Sequence, residues 1–191
     1  YHSTSPPDPD AEQGIAAARM EYTDTNKSSP VGKVWKWYNG GWSQPGVKGK
    51  VSPVFPVVSD WHGASPDAFW GPAVSYNTYL NQYVMLLNHA IDTNWSQGGF
   101  YAAFGPPDLS NPAQWSSPQL FLTLTNSPWS AYPQVIGLSQ GETDKLAGQT
   151  ARLFLNGESS WEITFNLSAV PTASAQSTVK YVPSAIRRRS R

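Results

Sequence analysis

Thirteen carboxylates and three histidines, with no cysteine, set the chemistry open to this 191-residue chain. Without thiols there is no disulfide, no thiolate nucleophile and no cysteine-based zinc or iron–sulfur centre. Three histidines make a transition-metal site improbable, and a calcium or sodium ion held by carbonyls and carboxylates has no motif behind it. No Gly-x-Ser-x-Gly elbow occurs. Asn39-Gly40-Gly41 and Gly98-Gly99 read as a turn and a strand start, not as a phosphate cradle. Carboxylate and imidazole acid–base chemistry remains, together with ring stacking. Nine Trp, nine Tyr and seven Phe supply flat apolar faces that suit both sheet cores and sugar rings.

Charge narrows the partner. Thirteen basic and thirteen acidic residues cancel, so no general attraction to nucleic acid or acidic membranes is expected, and no basic groove is present to neutralise phosphates. No stretch approaches the roughly 20 apolar residues needed to span a bilayer. The expected partner is neutral or small.

Any such site must be held by strands. Pro and Gly interrupt the chain too often for long amphipathic helices, while short runs rich in Val, Tyr, Trp, Phe and Thr keep returning. The clearest lie at 14–20, 34–38, 72–76, 83–88, 99–104, 119–124, 133–138, 151–155 and 161–167. Four phrases occur twice. Trp70-Gly71-Pro72-Ala73-Val74 matches Ala131-Tyr132-Pro133-Gln134-Val135, and Tyr83-Val84-Met85-Leu86-Leu87-Asn88 matches Ala151-Arg152-Leu153-Phe154-Leu155-Asn156. Glu12-Gln13-Gly14-Ile15-Ala16-Ala17-Ala18 matches Ser96-Gln97-Gly98-Gly99-Phe100-Tyr101-Ala102-Ala103, and Trp42-Ser43-Gln44-Pro45 matches Trp115-Ser116-Ser117-Pro118.

In order, the phrases define a four-stranded unit of the kind that makes a propeller blade. The expected fold is all-β: a partial five-bladed β-propeller of about two and a half blades, each a four-stranded antiparallel sheet. Blades are expected at about 1–46, 69–124 and 132–167 within a propeller portion 1–170. A polar, basic tail follows over 171–191, with a strand near 178–182 that pairs with a missing first blade. Two and a half blades leave open edges, so missing blades or a second chain are expected to close the ring.

These phrases resemble those of the five-bladed glycosidase propellers, the broad group around glycoside hydrolase family 43, and their uncharacterised bacterial relatives. The resemblance covers about residues 1–167 and implies an extracellular or periplasmic protein that cleaves glycosidic bonds of a neutral poly- or oligosaccharide. In that group the site lies on the face formed by loops entering the first strand and loops joining the second to the third. Here those loops are 5–12, 59–69, 90–97 and 125–131. Cleavage needs one carboxyl group as acid and a second as nucleophile or base. Glu12, Asp67 and His62 are the candidates for acid–base work, and Trp70, Trp129, Tyr132, Trp95 and Asp92 for substrate contact. The group's acid is the Glu of a Glu-Gly-Pro phrase, where this chain has Trp70-Gly71-Pro72, and its base would lie upstream of Tyr1. The alternative is a propeller that binds carbohydrate or another partner and has lost the acid.

Overall fold

The computed structural model describes residues 13–46, 49–61, 63–124, 130–167 and 176–181. Among them the fold is all-β, with a single five-residue α-helix, Asp24–Ser28, capped by the Thr23 hydroxyl. No helix among the described residues is long and apolar enough to cross a membrane.

The strands are β1 (Gly14–Ile15), β2 (Ala18–Met20), β3 (Val34–Tyr38), β4 (Gly41–Pro45), β5 (Phe55–Pro56), β6 (Ala68–Asn77), β7 (Gln82–Ala90), β8 (Gln97–Phe104), β9 (Gln119–Leu122), β10 (Gln134–Gly137), β11 (Leu146–Ala147), β12 (Thr150–Leu155), β13 (Glu158–Asn166) and β14 (Gln176–Tyr181). Each of the nine runs picked out by composition contains or overlaps a strand. β6 to β9 form one antiparallel meander, and β10, β12, β13 and β14 form a second. β14 therefore completes the sheet that precedes it in the chain and does not pair with a first blade.

Alternation along β7 explains why these two sheets stack. Val84 and Leu86 point one way and join Phe100, Ala102 and Phe104 against Val135, Leu153, Ile163 and Phe165 of the second meander. Met85 and Leu87 point the other way and join Ala103, Ile15 and Phe55. The central sheet is thus apolar on both faces, as a sheet packed on both sides must be. β11, thrown out by the β10–β12 connection, pairs in parallel with the end of β6 and locks the sheets together. Tyr76 N–H donates to the Lys145 carbonyl, and the buried Asn77 amide to Gly148.

Three of the repeated phrases keep their structural role, and the fourth does not. Gly14 and Gly99 both hold positive φ, +126° and +141°, and each precedes a residue paired with an outer strand: Ile15 with Phe55, Phe100 with Leu122. Any side chain at either glycine would press on that strand. The chain after Ile15 then leaves this pairing, and 18–20 joins the β3–β4 hairpin instead. So the expected single strand at 14–20 is split. Trp42-Ser43-Gln44-Pro45 lies within β4 of that hairpin, whereas Trp115-Ser116-Ser117-Pro118 only leads into β9. The outer partner of the first unit is Phe55–Pro56.

A Gly14→Ala substitution forces Cβ into the Phe55 carbonyl oxygen at a backbone angle that L-residues avoid. It is expected to lower stability by roughly 2–4 kcal/mol. Urea unfolding checks this, as a shifted midpoint with an unchanged slope.

Candidate functional site

One end of the central sheet gathers the start of β6, the end of β7, the start of β8 and the approach to β10. Four rings line up there. Trp61 and Trp95 have centroids 6.3 Å apart. Trp95 meets Trp70 edge-on at 5.6 Å and 87°, and Trp70 meets Tyr132 edge-on at 5.4 Å and 86°. Trp61 is buried and Tyr132 is 63% exposed, so the row runs from core to solvent. Trp70, Gly71, Pro72, Trp95 and Tyr132 line an open cleft of about 410 Å³, and among the described residues no charged side chain borders it.

The backbone here is held away from its preferred angles. Among the described residues five non-glycines have positive φ; three are Asn, which tolerates it, and the other two are Trp95 (+59°) and Tyr132 (+56°). Asparagines enforce the second case. The Asn156 side-chain oxygen accepts from Ala131 N–H, and the Asn156 backbone N–H donates to the Ala131 carbonyl. Asn88, fully buried, accepts from Tyr132 N–H at 3.0 Å and donates to the Trp70 and Gly71 carbonyls at 3.2 and 3.4 Å. Those carbonyls are turned toward it by a β-bulge between Trp70 and Ala73. Gly71 sits at φ +57°, and a Cβ there would lie 2.6 Å from the Asn88 amide nitrogen.

Trp95 is set by Asp92. The Asp92 carboxylate accepts from the backbone N–H groups of Asn94 and Ser96, and its carbonyl from Trp95 N–H. The Ser96 hydroxyl first, then these amides, hold the exposed Asp92 carboxyl below its ordinary value of 3.8. Asp92 was expected to touch substrate. Its carboxylate forms the turn that presents Trp95.

Asp67, an expected acid–base residue, lies where the chain enters β6, with its Oδ1 2.7 Å from His89 Nε2. His89 follows Asn88 on β7 and so faces the opposite side, between the Phe69 and Tyr101 rings. It is the member of this cluster that composition alone did not rank, because its partner lies 22 positions away. Gln13, by contrast, is fully buried and structural: its Nε2 donates to Asp60 and its Oε1 accepts from Trp61 N–H, fastening the loop before β6. Glu12, His62 and Trp129 lie outside the described residues. Among the described residues, no group of His, Asp or Glu is arranged to hold a metal ion.

Three buried polar atoms in this cluster have no hydrogen-bond partner among the described residues: Trp70 Nε1, His89 Nδ1 and Gln97 Oε1. Each costs on the order of 1–3 kcal/mol, and buried groups of this kind call for an explanation in function or bound water.

Two substitutions probe the arrangement. Asn88→Leu keeps the volume but strands two carbonyls and one N–H, so it should cost about 2–4 kcal/mol in chemical unfolding. For Asp92, a folded-state pKa below the unfolded one means its contribution is present above about 3.8 and lost as pH falls below it. The fluorescence difference between the protein and its Trp95→Phe variant should therefore hold steady from neutrality down to that value and collapse beneath it. In an Asp92→Asn background, which keeps the acceptor, that acid step should vanish.

No protein-family model matches this chain, and neither a curated protein nor a solved structure does so.

Proposed function

We propose that the stacked meanders are blades of a partial five-bladed propeller whose loop end binds a neutral carbohydrate without cleaving it. The observation that carries this reading is the concentration of cost in one place. The two strained aromatic residues and the Gly71 bulge meet Trp70, whose own buried indole N–H has no hydrogen-bond partner among the described residues. A fold that spends stability at one cleft is organised around what that cleft holds.

The chemistry of the cleft selects the ligand class. Exposed ring faces stack on the apolar face of a sugar. The absence of charge on its walls among the described residues favours a neutral chain over a phosphorylated or acidic one. Pro72 lies in β6 ahead of the stretch that pairs with β11, and Pro133 immediately precedes β10. Lacking an N–H, they discourage strand addition by a peptide.

Cleavage asks for more. Two carboxyl groups must flank the bond, roughly 5 Å apart for retention and 6.5–9.5 Å for inversion. The described carboxylates around the site are each engaged: Asp60 by Gln13, Asp67 by His89, Asp92 by its own turn.

Calorimetry against soluble neutral polysaccharides such as xylan, arabinan and β-glucan tests the proposal. At least one should bind. Trp70→Ala should weaken it roughly 10–100-fold, the loss of about 1.4–2.8 kcal/mol, and Tyr132→Ala about tenfold, with unfolding midpoints reported alongside. Binding of none of them overturns the reading. Release of nitrophenol from an aryl glycoside by the intact protein, abolished in Asp67→Ala, would replace it with hydrolysis.

A further inference from the structure

A second cavity lies on the other side of Pro72, away from the aromatic row. It encloses about 360 Å³ between the 15–18 segment and the β6–β7 face of the central sheet. Val74 and Met85 form one wall, Ile15, Ala16 and Ala17 the facing one, and Trp42 and Trp115 close its ends. The alanines leave the room: Ala16, Ala17 and Ala18 all line the cavity, where bulkier side chains would fill it. Trp42 is fixed by its indole N–H, which donates to the Ser110 carbonyl at 2.8 Å, and by an edge-on contact with Trp37. The volume falls within the range of small-molecule sites, roughly 300–1,000 Å³, which are apolar with a few placed polar groups.

The placed polar group here is Arg19. It lines the cavity and its guanidinium stacks 4.7 Å above the Trp42 ring. It makes no ion pair among the described residues, although Glu21 stands with it around the neighbouring surface recess. A guanidinium presents a planar fork of donors that matches a carboxylate. Stacking on Trp42 holds that fork in place.

We propose that this cavity binds an amphipathic carboxylate, with its apolar body between the alanine run and Met85 and its carboxylate on Arg19. The site is separate from the carbohydrate cleft and needs no part of that reading. Octanoate is the probe, and 1-octanol is its neutral counterpart. Octanoate should bind with one site per chain and change tryptophan emission, because Trp42 and Trp115 bound the cavity. Arg19→Gln, an exposed substitution that leaves the fold alone, should weaken octanoate about tenfold or more and leave octanol unchanged. Ala17→Phe fills the cavity and should block both, whereas Tyr132→Ala should affect neither. No octanoate binding to the intact protein overturns the proposal. So does octanoate binding that survives Arg19→Gln undiminished, whatever Ala17→Phe does.

Discussion

The arrangement turns on the side chain of Asn88. It is buried without any exposure, and a buried amide must find partners or cost several kcal/mol. It finds three, and they belong to two different sheets: the Trp70 and Gly71 carbonyls of β6 and the N–H of Tyr132 ahead of β10. The bulge exists in the shape that lets two successive carbonyls face one amide. Gly71 is glycine because a Cβ would occupy the place of that amide. Asn156, the same position in the next sheet, clasps Ala131 from the other side. Between them the two asparagines over-determine the Ala131–Tyr132 backbone, and so Tyr132 can persist at a left-handed angle with its ring turned to Trp70.

That dependence explains which features were legible in the sequence. Strand positions were readable because alternation of Val, Leu and aromatic residues reports burial directly, as in the opposed faces of Val84-Met85-Leu86-Leu87. The Gln-Gly and terminal Asn phrases were also readable, since a positive φ or an obligatory buried amide admits few residue types. The Trp-Ser-x-Pro phrase misled because nothing about its backbone demands that composition. It recurs once within a strand and once before one. The site loops were expected from the family resemblance, and of the residues placed on or next to them Trp70, Trp95 and Tyr132 do converge. The roles of the polar residues were not legible. Whether Asp92 faces a ligand or its own turn, and whether Asp67 stands alone or against His89, depends on contacts that no spacing encodes.

The same physics distinguishes the two sides of the stack. The central sheet offers apolar residues to both neighbours. The outward face of the second meander instead carries Arg152 and Glu162, 3.4 Å apart, with the Thr150–Thr164 pair and the exposed Gln134 and Lys180. A further sheet laid on that face would have to strip water from this ion pair, and burying such a pair rarely repays its desolvation. This face, which also carries Ile136 and Phe154, is thus more polar than either face of the central sheet.

On the opposite side, the first unit covers the central sheet only partly. Ile15 and Phe55 reach Met85 and Leu87, but the alanine run behind them is too small to fill the space against Val74. Close packing is the rule in protein interiors, where even a missing methyl group is felt. A cavity of this size departs from that rule, and among the described residues the Arg19 guanidinium on Trp42 beside it has no ion-pair partner. The aromatic cleft carries strain and unmet hydrogen bonds of its own. Both open volumes touch Pro72, next to the bulge that Asn88 enforces. The constraint that fixes the fold thus also sets the wall between its two open volumes.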